Sequence, residues 1–418
     1  MRLSERARLL TTTAQLLRSQ WRTRDEIRAY QRRRLIEHLR YAVANVPFYA
    51  DTGIAAAGIR SIEDLRRFPV VTKADIQERA EHFLSRAVDA RTLFWSRSSG
   101  VTGEPTATYF DDDSWLLTKH ALKARRVLSD TKAPGQRVLI MSERESVAAA
   151  RSWLATLLKP LLDRRSMSLI DPLGANAREL AAFRPTIVYG FPSYLLALAE
   201  AVRTERLTMP RVPLIYTSSE VLTEPARHAL TAAYGGRVVD VYGSTEFKEI
   251  AVQCRHGRYH VNFESVYVES VAEEPDAPPR LLVTTLVNKA MPLIRYELGD
   301  TGKLTDDDCA CGRRSPQLVE LHGRLSETLS FPDGTRVSPY LLTTAIEQQA
   351  KVRHFRIVHE QPSSLRIETL AKPALSAADR SGLETSLRKL VPADVALRFV
   401  ELTDRGAHGK RRAVSREF

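Results

Sequence analysis

Between residues 3 and 45, charged positions alternate with aliphatic ones at helical spacing, and Leu9, Leu16, Leu17, Leu35, Ile36 and Leu39 supply an apolar stripe. This predicts packing helices, an N-terminal helical segment over about 1–50. The period then changes. Short apolar runs at 137–141, 186–189, 213–216 and 238–241 alternate with helical segments at 193–202 and 224–234, which predicts a mainly parallel sheet with helices on its faces. After Glu264 strands follow one another, at 266–271 and 281–286, as in an antiparallel subdomain. From about Leu325 the chain reads as a turn at Pro332-Asp333-Gly334-Thr335, a helix near 339–349, strands near 355–358 and 365–369, a helix near 377–390 and a strand at 397–402. The pattern therefore predicts an α/β protein. Its large N-terminal domain, 1–324, holds mainly parallel sheets and an antiparallel subdomain, and a small α+β C-terminal domain covers 325–418. In parallel sheets ligands bind beyond the carboxyl ends of the strands, where Tyr189-Gly190-Phe191-Pro192, Ser218-Ser219-Glu220 and the residues from Tyr242 to Glu246 fall.

Composition narrows the class. At 418 residues and 43% hydrophobic content the chain can bury one large core and a smaller second one. No apolar run approaches the roughly 20 residues that cross a bilayer, so no membrane partner is expected. The formal charge of +12 is placed at the ends. Residues 1–40 carry eleven arginines against four acids, net +7, and residues 404–418 carry five basic against two acidic residues, net +3. The body is nearly neutral, which argues against a basic groove for nucleic acid. Three cysteines in the whole chain argue against a disulfide framework and for a reducing compartment, the cytoplasm. The oligomeric state is not legible.

Two groups of residues point to chemistry on their own. Ser98-Ser99-Gly100-Val101-Thr102-Gly103-Glu104-Pro105-Thr106 crowds hydroxyls and glycines into a turn whose backbone N–H groups suit phosphate, although ordinary polar turns share this composition. Cys254, six residues before His260, together with Cys309-Ala310-Cys311, makes a three-sulfur, one-imidazole set for a closed tetrahedral zinc ion. His256 is an alternative fourth ligand, and free cysteines in a turn are the alternative to a metal. No Walker lysine pattern, GxGxxG or HExxH occurs, and Ser129-Asp130-Thr131-Lys132 is an SxxK without its partner motifs.

Further motifs follow in a fixed order: Asn45-Val46-Pro47-Phe48-Tyr49, Val239-Asp240-Val241-Tyr242-Gly243-Ser244-Thr245-Glu246, Pro292-Leu293-Ile294-Arg295-Tyr296-Glu297-Leu298-Gly299-Asp300, Leu321-His322-Gly323-Arg324 and Gly409-Lys410. With the serine-rich turn they resemble the adenylate-forming acyl-CoA synthetases, in the phenylacetate-CoA ligase-like branch, whose patterns read approximately SSGTTGxPT, DxYGxTE, RYxTGD and GRxDD. The resemblance spans nearly the whole chain. It implies that Ser98, Ser99, Gly100, Thr102 and Gly103 lie over the β- and γ-phosphates of ATP, and that Ser219, Glu220, Asp240, Gly243 and Ser244 belong to the nucleotide pocket. It further implies that the Tyr242 ring lies by the adenine, the Thr245 hydroxyl at the α-phosphate and Glu246 on magnesium. Asp300 would accept the ribose hydroxyls, Arg324 would approach the same sugar or the phosphates, and Lys410 would contact the carboxylate and α-phosphate. Lys410, Thr245 and Glu246 are then the catalytic residues. The small domain would be a mobile lid that turns between half-reactions, and some members of the branch carry the zinc site. The chain departs from the patterns at Val101, Glu104, Leu298 and, where the hinge aspartate usually stands, Ser326, followed by Glu327. Taken without the resemblance, Arg295 and Asp300 read as a salt-bridged turn.

Joining a carboxylate to the α-phosphate of ATP brings two anions together and expels pyrophosphate, so such a site must neutralise charge. The expectation is an ATP- and magnesium-dependent ligase that adenylates a small, aromatic or compact carboxylic acid and passes the acyl group to a thiol, CoA. One alternative passes it to an amine, a carrier-protein thiol or another nucleophile. A second is a nucleotide-binding relative without turnover, suggested by Val101 and Glu104, and a zinc-dependent nucleic-acid binder has only the basic ends and the Cys/His set behind it.

Overall fold

The computed structural model describes residues 3–97, 106–131, 135–142, 162–168, 171–272, 278–324, 329–333, 335–337, 342–343, 345–346, 349, 351–402 and 414–416. They belong to two compact units, 1–133 with 241–321 and 134–240 with 322–418. The fold is mixed α/β, as the sequence pattern predicts. No described helix is long and apolar enough to cross a membrane.

In the first unit the N-terminal segment forms helices Leu3–Ser19 and Arg24–Asn45. A capping box starts the second: the Thr23 N–H donates to Glu26 Oε2 at 2.8 Å while the Thr23 side chain accepts from the Glu26 N–H. Ile27, Gln31, Leu35, His38, Leu39 and Ala42 recur at helical spacing and are buried. Gln31 Nε2 and Arg34 Nη2 donate to the carbonyls of Val266 and Leu286, at 3.1 and 3.0 Å, and dock the helix on the strands behind it. The helix stops where Val46, ahead of Pro47, adopts an extended backbone. Leu35, Leu39 and Leu16 of the expected stripe are buried, Leu9 and Ile36 pack partly buried against the cores, and Leu17 is half-buried.

Pro47–Ala50 carries Tyr49 into the core, where its hydroxyl accepts the Ile294 N–H at 2.9 Å. The sheet of this unit runs in the order Val266–Val271, Arg280–Thr285, Tyr296–Thr305, residues 317–321 of Gln317–Arg324, Tyr259–Val261, Lys248–Gln253, then residues 241–244 of Arg237–Ser244. The recorded pairings are antiparallel, matching the expected subdomain. A separate hairpin, Phe94–Arg97 with Ala107–Phe110, flanks residues 98–105, which lie outside the described residues.

In the second unit Leu162–Ser168, Gln136–Ser142, Ile187–Gly190 and Leu214–Ser218 form a parallel row, with Arg237–Ser244 next in order. Helices Leu173–Phe183, Pro192–Thr204 and Glu224–Tyr234 bury their apolar faces over it. Residues 322–418 have a core of their own, with Ala396–Glu401, Ser364–Ala371, Val352–Gln361 and Val414–Arg416 in one sheet beside helix Ala377–Arg388. Of the helix expected near 339–349, residues 342–343 and 345–346 are helical.

Replacing Tyr49 by Phe leaves the Ile294 N–H buried without its acceptor. Tyr49→Phe should therefore lower unfolding stability by about 1–3 kcal/mol, measured by urea denaturation.

Candidate active site

The chemistry foreseen from the sequence gathers around one tight connection in the first unit. The strand ending at Ser244 meets Lys248–Gln253 antiparallel, with a bulge between Tyr242 and Gly243. The two backbones approach so closely that a Cβ on Gly243 would sit 1.9 Å from the Lys248 carbonyl oxygen, so only glycine fits. Within the turn, Ser244 Oγ accepts the N–H groups of Glu246 and Phe247 at 3.2 and 3.3 Å. Lys248 adopts φ of 63° and its side chain folds back, Nζ donating to the Thr245 carbonyl at 2.7 Å.

Lys248 is unusual for a charged residue. Its Nζ lies 4.7 Å from the centre of the Phe110 ring and 5.5 Å from that of Trp115, and Trp115 is stacked in turn on Phe94 at 5.1 Å. Burial pushes its ammonium down to about 7, with Lys119 and Lys123 acting in the same direction and Glu246 opposing them.

Two hydrogen bonds tie the turn to strand Tyr296–Thr305. The Tyr242 hydroxyl donates to Asp300 Oδ2 at 2.7 Å, and the Tyr296 hydroxyl donates to Glu246 Oε1 at 3.3 Å. Asp300 follows Gly299, whose φ of 81° is in the left-handed region. The structure thus brings Tyr242, Gly243, Ser244, Thr245, Glu246 and Asp300 together. Arg295 pairs not with Asp300 but with Glu269 at 3.2 Å, and it also donates to the Phe68 carbonyl at 3.1 Å. Burial raises the Glu269 carboxyl and this guanidinium works against the rise.

The remaining foreseen residues are distributed elsewhere. In the second unit Asp240 is buried and its Oδ1 accepts the Thr217 hydroxyl at 2.6 Å. Glu220 caps helix Pro192–Thr204, accepting the Ser193 N–H at 3.0 Å and the Ser193 hydroxyl at 2.8 Å, and Ser219 before it has φ of 70°. Arg324 is the last residue of strand Gln317–Arg324. Ser98, Ser99, Gly100, Val101, Thr102, Gly103, Glu104, Ser326, Glu327 and Lys410 lie outside the described residues.

The cysteines converge in the first unit. One ligand atom from each of Cys254, His260, Cys309 and Cys311 lies within 4.8 Å of the others. Cys254 and Cys309 sulfurs are 3.7 Å apart, and Cys311 Sγ is 3.3 Å from His260 Nε2. The other ring nitrogen of His260 meets Ser315 Oγ at 3.2 Å, which orients the imidazole. His256 is not part of the cluster: its backbone N–H donates to Cys254 Sγ at 3.4 Å and its ring accepts from Arg255 at 3.1 Å. Turns with positive φ at Gly257 and Gly312 return the chain, the Gly257 N–H donating to the Cys254 carbonyl and the Gly312 N–H to the Cys309 carbonyl.

Sequence reasoning passed over Lys248, Tyr296, Phe110 and Trp115. Tyr296 stands inside a motif it quoted and Lys248 two positions beyond another, yet neither partner is visible from spacing.

No family model matches the chain. It is 26% identical over 364 residues to the phenylacetate-coenzyme A ligase of Thermus thermophilus, covering 82% of this chain and 80% of that protein. To the phenylacetate-coenzyme A ligase of Escherichia coli it is 25% identical over 350 residues, 77% of this chain and 76% of the other. Its fold matches that of a 2-hydroxyisobutyryl-CoA ligase solved in the postadenylation state with R3-HIB-AMP, at a TM-score of 0.78 and 22% identity over 94% of this chain and 90% of that one.

Proposed function

We propose that this chain, a relative of the phenylacetate-CoA ligases within the adenylate-forming superfamily, activates a carboxylic acid with ATP and transfers the acyl group to the thiol of CoA. The observation that carries the reading is the pairing of Tyr242 with Asp300 beside the Thr245-Glu246 turn, because it joins two separate motifs into one half-site. Asp300 suits the two ribose hydroxyls: a carboxylate accepts at both oxygens, and the Tyr242 hydroxyl holds one of them in place. The Tyr242 ring then borders the base, and Thr245 offers its hydroxyl to the α-phosphate.

Glu246 fits an oxygen-ligated divalent ion. It is half-buried, and its side chain's recorded partner among the described residues is the neutral Tyr296 hydroxyl rather than a cation at ion-pair distance. Magnesium bound there would offset the negative charge of the triphosphate and of the incoming carboxylate. The serine-rich turn from Ser98 to Gly103 would hold the β- and γ-phosphates through backbone N–H groups, and Arg324 would reach the sugar or phosphates. Residues 325–418 act as a mobile lid that carries Lys410 to the carboxylate and α-phosphate. The carboxylate oxygen attacks the α-phosphorus, pyrophosphate leaves with the bridging electron pair, and the CoA thiol then displaces AMP. A compact or aromatic acid suits the resemblance, and three cysteines with no disulfide among them suit a cytoplasmic setting.

The Cys254, His260, Cys309 and Cys311 set fits structural zinc. The donors are three sulfurs and one nitrogen, His260 is oriented by Ser315, and four protein ligands leave no position open for catalysis.

Two outcomes are expected. Pyrophosphate should exchange into ATP only when a carboxylic acid from an aryl and short-chain panel is present, thioester should form only with CoA, and Lys410→Ala should slow exchange by about 100-fold or more. An absence of exchange across the panel contradicts the reading. The purified protein should hold one zinc per chain by mass spectrometry of the metal, and Cys254→Ser should lower that content along with the melting temperature. A full-length protein free of zinc, with unchanged melting after chelation, removes the metal assignment.

A further inference from the structure

We propose that Cys254 and Cys309 are an oxidative modification site, where hydrogen peroxide joins the two sulfurs in a disulfide and so removes two of the four ligands of the Cys/His cluster. The inference rests on the zinc reading given above and goes beyond it, because it concerns what the cluster does under oxidation. Cys254 and Cys309 are both buried, and their sulfurs stand 3.7 Å apart, at van der Waals contact. Cys311 is half-buried, with its sulfur 3.3 Å from His260 Nε2. A way in for a small oxidant lies beside the pair. A cavity of about 30 Å3 is lined by His260 of the cluster, by Ser315 and by Gln253, the residue before Cys254. Such a volume holds about two waters, which is the size of a peroxide molecule, and the polar wall suits it.

The chemistry uses both thiolates of the pair. One attacks an oxygen of the peroxide, the O–O bond breaks, and hydroxide leaves a sulfenic acid behind. The second attacks that sulfur, the S–S bond forms as the S–O bond breaks, and another hydroxide leaves. Two electrons pass from the sulfurs to the peroxide, and the hydroxides take protons from solvent to become water. His260 and Cys311 remain, too few ligands to keep a structural zinc ion. The effect falls on the hairpin above the cluster. Zinc would tie Cys254, next after strand Lys248–Gln253, to His260 in strand Tyr259–Val261 and to both cysteines of the turn ahead of Gly312. The disulfide keeps only the link from Cys254 to Cys309. Tyr259–Val261, which pairs with Lys248–Gln253 on one side and with Gln317 and Leu318 on the other, then loses its anchor.

The test uses the full-length protein as purified, with its zinc measured first, and a small excess of hydrogen peroxide. Zinc release is followed with a chelating dye, the cross-link by peptide mass mapping, and the hairpin by deuterium uptake. The expected result is loss of the zinc, a Cys254–Cys309 disulfide that a dithiol reverses, and uptake in Tyr259–Val261 faster by about fivefold or more. Cysteines left intact, sulfinic acids without a cross-link, a cross-link through Cys311 instead, or unchanged uptake in the cross-linked protein overturns the proposal. A protein purified without zinc overturns the metal reading alone, and formation of the Cys254–Cys309 disulfide then decides the modification site by itself.

Discussion

The site depends on how closely two strands approach at Gly243. A side chain there would meet the Lys248 carbonyl at 1.9 Å, so the absence of a Cβ lets the chain turn within a few residues and come back with its carbonyls and hydroxyls in fixed places. From that approach follow the bulge at Tyr242, which aims the phenol at Asp300, and the clamped turn that presents Thr245 and Glu246. Strain is stored in the same place, since Lys248 is a non-glycine residue with positive φ.

The returning strand, Lys248–Gln253, is secured along its length by polar contacts that are costly to bury singly. Arg126 and Glu249 form a deeply buried pair at 2.9 Å, and Asn262 Nδ2 donates to the Glu249 carbonyl at 2.7 Å. Breaking one member of such a pair leaves an uncompensated charge, which favours a single register for the strand. Beside it Arg125 joins Glu264, whose carboxylate also takes the Ser19 hydroxyl at 2.6 Å. The strand then runs into Cys254, and the chain returns through Tyr259–Val261 past His260. One hairpin thus carries the half-site at its entrance and the Cys/His cluster at its far end, and a metal in that cluster would hold the register from a distance.

Much of this was legible in the sequence, for physical reasons. Parallel strands buried on both faces read as continuous apolar runs, and 137–141, 186–189 and 213–216 fall within strands Gln136–Ser142, Ile187–Gly190 and Leu214–Ser218, with 186 and 213 just ahead. Leu162–Ser168 went unread because it ends the row and exposes Arg164 and Arg165, giving an edge strand no apolar signature. Within the site, the motif residues could be named but their partners could not. Tyr242 and Asp300 are 58 positions apart, and the choice between His256 and His260 needed the strand register that sets His260 opposite Gln317 near Ser315. Nothing in the sequence around Lys248 signals its setting, because the Phe110 and Trp115 rings that its side chain folds against lie more than 130 positions away.

The most direct measurement is the affinity of the Gly243→Ala protein for a non-hydrolysable acyl-sulfamoyl adenosine, by calorimetry, with circular dichroism to establish that the chain is folded. The account predicts a folded protein whose affinity falls by about 100-fold or more, because an added methyl group pushes the turn away from Asp300. Binding equal to that of the parent would contradict it.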